Sequence, residues 1–254
     1  FYRLSLRDLS INGRQPMESS CGRYIICFNG EIYNTENLKK KYLPNFNFKS
    51  TSDTEILLEL YKIKKEKILR ELEGMFAIFI YDNLENKTFL ARDRIGIKPL
   101  YFKKTPNYFI ISSEIKPILR FIDNSAFNHQ SFADFFFKGS MDHNKTFFKN
   151  VDTLMPGKFL SYERNKINVF NFWNFEDSLK LGNHKSNSIK KLLNTSIKDH
   201  LISDVKIGSF LSGGTDSSLV TSLACKNLKY KMSTFTYDFK NSSFFSESIR
   251  AKNI

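Results

Sequence analysis

The segment KIGSFLSGGTDSSLVTSLA, from Lys206 to Ala224, decides the fold of the C-terminal part of the chain. An apolar run ends at Leu211, two glycines and several hydroxyl side chains follow, and an amphipathic run begins at once. This order predicts a strand, a tight loop and a helix. The inner side of that helix is expected to carry Leu219, Val220, Leu223 and Ala224. Because MSTFTYDF is typical of a further strand, the segment predicts a parallel, doubly wound α/β sheet.

The loop in this segment is suited to holding phosphate. Gly213 and Gly214 can adopt positive φ and let an oxygen approach the backbone closely. The amides and the dipole at the start of a helix favour an anion, and Ser212, Ser217 and Ser218 add hydroxyl donors. A Walker A loop, a dinucleotide fingerprint and a nucleophile elbow each lack their defining residues here.

Asp216 carries the most information in the loop. A carboxylate beside a pyrophosphate is repulsive unless a cation lies between them, and Mg²⁺ is usually held by one or two carboxylates together with phosphate oxygens. Asp216 is therefore a candidate Mg²⁺ ligand. The alternative is that its carboxylate only stabilises the first turn of the helix.

The string from Ser212 to Ser218 resembles the SGGxDSS loop of the PP-loop ATP pyrophosphatases, which include asparagine, GMP and NAD synthetases. The resemblance implies that ATP is bound here and is split between its α and β phosphates to adenylate a substrate. It also implies that the backbones of Phe210 and Tyr237 hold the adenine. Thr215 departs from the family pattern, in which an aliphatic residue is frequent.

The sequence of the first 120 residues predicts β-sheet structure with helices packed on the outside of the sheet. GRYIICFNGEIYN predicts a strand that runs into a turn at Asn29 and Gly30. A helix is expected after Ser52, which forms a capping box with Glu55. The strand from Met75 to Tyr81 is apolar on both faces, so we expect it to be covered on both sides, as the first arm of a hairpin.

RLSLRDLS, QPM, FNGEIYN, SDTE, GMFAIFIYD and ARDRIGIKPLY follow one another along this half. Together they resemble the glutaminase domain of glutamine-hydrolysing asparagine synthetases, which are class II amidotransferases with an N-terminal nucleophile. The resemblance implies an α+β fold, an αββα sandwich of the Ntn-hydrolase type, in residues 1–150. Linker strands are then expected in 151–184, and the start of the ATP pyrophosphatase domain in 185–254.

The same resemblance implies roles in glutamine binding. Arg3 would hold the α-carboxylate of glutamine and Asp53 its α-amine. Asn29, through its side chain, and Gly30, through its backbone N–H, would form the oxyanion hole. The remaining pocket residues would be Leu4, Ser5, Leu6 and Glu31. Alternatives remain for single residues: a surface base at Arg3, a hairpin turn at Asn29 and Gly30, and a capped helix start at Asp53.

The nucleophile of that family is a cysteine at the mature N-terminus, whose α-amine acts as the base. By family order this cysteine would lie upstream of Phe1, and the chain stops at Ile254 inside an element whose sequence pattern continues. We therefore expect the chain to be truncated at both ends and, without the nucleophile, inactive as a glutaminase. Cys21 and Cys27 cannot replace it, since neither has a free α-amine.

Composition limits the remaining classes of function. The net charge of +13 invites a nucleic-acid partner, but the lysines are spread along the chain and do not alternate with aromatic residues. No apolar run is long enough to span a membrane. The three cysteines fit no metal spacing; we expect small buried residues in a reducing compartment, hence the cytoplasm.

Taken together, the sequence predicts a glutamine-dependent ligase. Glutamine is hydrolysed to ammonia, Mg-ATP adenylates aspartate, and the products are asparagine, AMP, pyrophosphate and glutamate. The alternative is a paralogue that amidates another carboxylate, such as a cell-surface sugar acid. A homodimer is left open.

Overall fold

The structure is a computed structural model that describes residues 3–121, 126–142, 144–179, 186–239 and 246–254. Its contacts divide the chain into two compact units. The first comprises Phe1–Arg3 and Ser10–Leu181, and the second Leu4–Leu9 and Gly182–Ile254. The domain boundary expected near residue 184 lies outside the described residues.

In the first unit, Asn29, Gly30 and Glu31 lie on a nine-residue strand, and Asp53 lies on a twelve-residue helix. The strands of the first unit are β1 (Met17–Glu18), β2 (Tyr24–Ile32), β3 (Gly74–Asp82), β4 (Lys87–Arg92), β5 (Tyr101–Lys104), β6 (Phe109–Ser112), β7 (Asp152–Thr153), β8 (Lys158–Glu163) and β9 (Lys166–Asn171). Its helices are α1 (Thr35–Tyr42), α2 (Asp53–Lys64), α3 (Ile115–Leu119), α4 (His129–Lys138) and α5 (Phe175–Leu179), with short 3₁₀ turns at Ile11–Gly13 and Lys65–Arg70.

Two antiparallel sheets form the first unit. The larger has six strands in the order β1-β2-β3-β4-β8-β9, and the smaller has three in the order β6-β5-β7. The hairpin expected around Asp82 is confirmed, since β3 and β4 pair from Asp82↔Lys87 onward. Strands β8 and β9, which lie in the stretch expected to be a linker, extend the six-stranded sheet.

Strand β3 is covered on both faces, as its sequence predicts. Phe76, Ile78 and Ile80 are buried in one apolar cluster with residues of α1 and α2. Ala77 belongs to a second cluster, which also contains Leu100, the residue before β5. Phe79 of β3 packs against this cluster, as do Phe102 and Phe109 of the smaller sheet. Helices therefore lie on one face of the large sheet and the small sheet on the other, an α+β architecture.

The second unit contains α6 (Ser186–His200), β10 (Gly208–Phe210), α7 (Thr215–Asn227), β11 (Ser233–Phe235) and α8 (Ser248–Lys252). Strands β10 and β11 are parallel, with Phe210 opposite Phe235. The predicted order of strand, loop, helix and strand is confirmed. Helices α6 and α7 contact each other, and the Asn227 side-chain amide donates to Asn194 Oδ1 at 3.0 Å.

The inner side predicted for α7 is only partly correct. Ala224 and Thr221 are buried, but Leu219 and Val220 remain 46% and 47% exposed. A helix lying on two short strands has a narrow contact stripe, so neighbouring apolar positions stay in solvent.

Three local expectations are wrong. No turn occurs at Asn29 and Gly30, because β2 continues through both residues to Ile32. Ser52 does cap α2 through the Thr54 N–H, but Glu55 accepts from the Lys49 and Ser50 amides and so completes no capping box. Cys21 and Cys225 are exposed rather than buried, whereas Cys27 is half-buried within β2.

None of the helices in the described ranges combines the length and the apolar character needed to cross a bilayer.

Candidate functional sites

The end of strand β2 carries the residues expected to form an oxyanion hole. Asn29, Gly30 and Glu31 pair with Ala77, Phe76 and Met75 of β3. Side chains alternate along a strand, so Asn29 and Glu31 share one face of the sheet. The Asn29 side-chain amide donates to Ser113 Oγ at 3.2 Å, which fixes its direction. Sequence reasoning missed Ser113, because the contact joins residues far apart in the chain.

Gly30 lies where the two strands approach most closely. A Cβ atom at this position would lie 2.2 Å from the Met75 carbonyl oxygen and 2.7 Å from the Phe76 Cα. Both neighbours are backbone atoms, which cannot rotate away. The structure therefore requires glycine here for close strand packing rather than for a turn.

The direction in which the Gly30 N–H points follows from the hydrogen bonds of Phe76, its partner residue on β3. Phe76 donates its N–H to Asp93 Oδ2 and accepts from the Asp93 N–H, so its polar groups point away from β2. Gly30 and Phe76 are thus a non-hydrogen-bonded antiparallel pair. The N–H of Gly30 consequently points to the opposite edge of β2.

Two side chains anchor the amides on either side of Gly30 along that edge. The Phe28 N–H donates to Gln15 Oε1 at 2.6 Å, and the Ile32 N–H donates to Asp53 Oδ2 at 3.0 Å. The Gly30 N–H lies between them, since alternate residues of a strand point to the same side. The edge is therefore a fixed row of backbone donors.

Asp53 begins α2 and is buried. Its bond to Ile32 joins the start of the helix to the end of β2, and this brings Asp53 together with the segment from Asn29 to Glu31. Gln15 makes a second link, because its Nε2 donates to Thr54 Oγ1 at 3.2 Å while its Oε1 accepts from Phe28. Gln15 lies in the QPM motif, and a polar residue before proline is the signal in the sequence that could have indicated this contact.

Arg3 packs its guanidinium against Gly13, where a Cβ would lie 2.5 Å from a terminal guanidinium nitrogen. Gly13 is buried and lies two positions before Gln15. Arg3 is thus placed near the segment that anchors β2 to α2. Leu4, Ser5 and Leu6 belong to the second unit.

The loop between β10 and α7 is held by its own hydroxyl groups. Ser212 Oγ and Ser217 Oγ are 2.9 Å apart, and the Gly214 N–H donates to Ser212 Oγ at 3.3 Å. Ser218 Oγ donates to the Gly214 carbonyl oxygen at 2.6 Å. Leu211 is buried and donates its N–H to the Phe235 carbonyl oxygen, which ties the loop to β11.

Gly213 adopts a φ of +78°, a conformation that residues with a Cβ rarely take. A Cβ here would also lie 2.5 Å from Arg250 Cβ and 2.8 Å from the Arg250 carbonyl carbon. Gly214, the N-cap of α7, has an ordinary φ of −76° and open surroundings. The twin glycines therefore differ: the first is required by the fold, and the second leaves room for an oxygen.

Asp216 lies exposed in the first turn of α7. Within the described ranges, no group of three or more His, Cys, Asp or Glu side chains could hold a metal ion by itself.

Phe210 and Tyr237 lie near the carboxyl ends of the two parallel strands β10 and β11. Phe210 ends β10, Tyr237 comes shortly after β11, and their side chains are 84% and 71% exposed. The carboxyl ends of parallel strands share one edge, where ligands bind in open α/β sheets. Both residues and the Ser212–Ser218 loop therefore lie at that edge.

The sequence profile of the family described as "Glutamine amidotransferase domain" matches residues 1–173, more than half of the chain. The chain belongs to this family. Residues 188–254 match a second family, described as "Asparagine synthase". Apart from Leu4–Leu9, the first matched range lies in the first structural unit, and the second range lies in the second unit. The two matches confirm the resemblance drawn from the sequence motifs.

Curated relatives match nearly the whole chain. Asparagine synthetase [glutamine-hydrolyzing] 3 of Bacillus subtilis is 33% identical over 97% of this chain and 42% of its own length. Asparagine synthetase [glutamine-hydrolyzing] 2 of the same organism is 35% identical, over 98% of this chain and 35% of its own length. For asparagine synthetase B of Escherichia coli the values are 31%, 88% and 36%. The chain thus spans well under half the length of these relatives.

Proposed function

We propose that this chain carries the glutamine-binding and ATP-binding parts of a glutamine-dependent asparagine synthetase. The first unit would bind glutamine, and the N-terminal cysteine of the family, which this sequence does not include, would attack the side-chain amide and release it as ammonia. The second unit begins a doubly wound sheet whose loop binds Mg-ATP for the adenylation of aspartate. The amide of asparagine then forms, with AMP, pyrophosphate and glutamate as the other products.

One observation carries the glutamine half of this proposal. The Gly30 N–H points to the open edge of β2, between amides that Gln15 and Asp53 hold in place. A tetrahedral oxyanion needs such donors fixed in advance. The Asn29 amide, held by Ser113, supplies the second donor.

The amino-acid end of glutamine would be recognised by charge. Arg3 would pair with the α-carboxylate, because a guanidinium matches a carboxylate in shape and sign. Asp53 is buried, so its carboxylate would accept strongly from an α-ammonium group. Leu4, Ser5, Leu6 and Glu31 would complete the contacts.

In the nucleotide half, the backbone and hydroxyl groups from Ser212 to Ser218 would hold the phosphates at the N-terminus of α7. Asp216 would hold Mg²⁺ together with phosphate oxygens, and the ion would offset the charge of the leaving pyrophosphate. The backbones of Phe210 and Tyr237 would hold the adenine.

The acceptor is proposed to be aspartate, because the curated relatives described above are named asparagine synthetases. Amidation of a sugar acid has no such support. ATP–pyrophosphate exchange by the full-length protein tests the acceptor: aspartate should stimulate exchange and a sugar acid should not, and the reverse result would refute the proposal.

Glutamine binding by this chain can be measured by equilibrium dialysis. Replacing Arg3 by alanine should weaken binding about 10- to 100-fold, since hydrogen bonds to charged groups contribute about 1.5–3 kcal/mol. Arg14→Ala is the matched control, because Arg14 is exposed and lies outside the proposed contacts. Equal losses in the two variants would contradict the role of Arg3.

ATP binding can be tested through its metal dependence. Asp216→Asn keeps the size of the side chain but removes its charge, so binding of Mg-ATP should weaken about tenfold, in line with the carboxylate preference of Mg²⁺. Binding of metal-free ATP should not weaken. A loss that is the same with and without Mg²⁺ would show that Asp216 does not hold the ion.

A further inference from the structure

The pairing of β1 with β2 ends before it reaches Gly30. The last paired residues in that direction are Met17 of β1 and Ile26 of β2. The next N–H groups on this edge of β2 belong to Phe28 and then to Gly30, because alternate residues of a strand point to the same side. A longer β1 would bring a backbone carbonyl to each of them in turn, and the second carbonyl would occupy the proposed oxyanion donor.

The side chain of Gln15 takes the place of a strand residue opposite Phe28. Two residues further in the antiparallel register, position 15 lies opposite position 28. The acceptor for the Phe28 N–H is Gln15 Oε1, at 2.6 Å. The chain just before Gln15 forms the 3₁₀ turn Ile11–Gly13, so β1 does not continue along the edge toward Gly30. Gln15 therefore satisfies the last amide before Gly30 without a further strand residue.

A second hydrogen bond holds the Gln15 amide in one orientation. Its Nε2 donates to Thr54 Oγ1 at 3.2 Å, which leaves Oε1 directed at Phe28. All three residues are buried, where a polar group that loses its partner is costly. Thr54 follows Asp53, whose carboxylate holds the Ile32 N–H. The start of α2 thus braces the amides on both sides of Gly30.

We infer that Gln15 is a positioning residue for the oxyanion hole: its side chain ends the pairing of β1 with β2, fixes the Phe28 amide and thereby keeps the Gly30 N–H in place for the developing oxyanion. This inference rests on the proposed function. The three residues belong to the first unit. A donor to the oxyanion acts in the transition state, so loss of Gln15 should slow the reaction and leave the affinity for glutamine largely unchanged.

The test measures glutamine hydrolysis by the full-length protein, which includes the nucleophile. Gln15→Met keeps the length of the side chain but offers the Phe28 N–H no comparable acceptor. Its kcat should fall about 10- to 100-fold, as expected for a small misplacement of a catalytic group. Equilibrium dialysis with this chain, which does not include the nucleophile, measures affinity separately, and L-glutamine should bind Gln15→Met within about threefold of wild type.

Two threonine variants separate positioning from general damage. Thr54 and Thr146 are each 1% exposed, and both hydroxyls are hydrogen-bonded within the first unit. Thr54→Val removes the contact that orients Gln15, so kcat should fall about three- to tenfold. Thr146→Val is the matched control, because its hydroxyl donates to the Val151 carbonyl oxygen in the loop before β7. It should lower the urea midpoint and change kcat by less than about twofold.

The outcomes are distinct. An active wild type with an unchanged kcat in Gln15→Met would overturn the inference and leave the proposed function standing. Equal losses of kcat in Thr54→Val and Thr146→Val, or a loss of glutamine affinity in Gln15→Met as large as its loss of kcat, would also overturn it. If Gln15→Met does not fold, Thr54→Val decides: a wild-type kcat overturns the inference and a selective loss supports it. If the full-length wild type does not hydrolyse glutamine, the proposed function itself fails, and the inference with it.

Discussion

The first and the second unit of this chain differ in how much apolar surface each buries in its own interior. The first buries a continuous apolar cluster between helices and the six-stranded sheet, and a second cluster between the two sheets. Among the described residues of the second unit, the buried apolar side chains are Ile197, Leu211 and Ala224. Its α6 and α7 leave leucine side chains largely in solvent.

The two proposed binding sites differ in the same way. The first site lies on a strand whose neighbours are buried, so its donors are fixed by the core of the unit. The second is a loop whose shape comes from serine hydroxyls and one left-handed glycine. We therefore expect core substitutions to affect the first unit strongly and the second weakly.

Leucine-to-alanine substitutions give the largest contrast. Leu58 of α2 is 0% exposed and Leu192 of α6 is 58% exposed. Leu58→Ala should lower the free energy of unfolding by about 2–5 kcal/mol, whereas Leu192→Ala should change it by less than about 0.5 kcal/mol. Trp173, the one tryptophan of the chain, packs against the first cluster, so its fluorescence in urea reports the first unit. Far-UV circular dichroism follows both units. Similar effects of the two substitutions would contradict the contrast.

Glycine-to-alanine substitutions come next in size. Gly30→Ala should cost about 3 kcal/mol, the upper end for overpacking, because the new Cβ meets two backbone atoms of β3. Gly214→Ala should cost well under 1 kcal/mol, since the nearest atom to its new Cβ is Ser212 Oγ at 3.4 Å. Urea unfolding of the two variants checks this difference. A stable Gly30→Ala protein would show that β2 and β3 are not as close as described.

Removal of a carboxylate from either unit has the smallest expected effect on the free energy of unfolding, and the size of this effect depends on pH. Arg23 forms a paired hydrogen bond with Asp82 and lowers the pKa of that carboxyl below its ordinary value of 3.8. Asp82→Asn should cost about 1–2 kcal/mol at neutral pH. A lowered folded pKa contributes stability above the unfolded pKa and loses it as the pH falls through the folded pKa. The difference between wild type and Asp82→Asn should therefore shrink below about pH 4.

Asp238 of the second unit is the comparison for Asp82. Hydrogen bonds from Ser246 and Ser248 also lower its pKa, but the carboxyl lies in solvent. Asp238→Asn should leave unfolding nearly unchanged at every pH, because exposed charges are screened. Acid titration of the urea midpoint, followed by Trp173 fluorescence for Asp82→Asn and by circular dichroism for Asp238→Asn, checks both variants.

Local patterns predicted much of the fold. The two-faced apolar run of β3, the hairpin at Asp82 and the order of β10, loop and α7 follow from periodicity and turn chemistry. The N-cap at Ser52 was also correct. Each of these depends on residues close together in sequence.

The errors concern contacts between distant residues. Asn29 and Gly30 look like a turn, but pairing with β3 carries the strand through them. Glu55 has the spacing of a capping box, yet the chain before α2 folds back and offers it the amides of Lys49 and Ser50. The hydrogen bonds of Gln15 and Ser113 likewise join residues far apart in the chain, which no local pattern encodes.

We propose that one chain binds two different ligands at two separate sites. Amide NMR spectra of a single ¹⁵N-labelled sample, titrated first with L-glutamine and then with Mg-ATP, test it most directly. Glutamine should shift the signals of Asn29 to Ile32 and of Asp53, and Mg-ATP should shift those from Ser212 to Ser218. Unchanged Ser212–Ser218 signals with Mg-ATP, or an unchanged Gly30 signal with glutamine, would contradict this proposal.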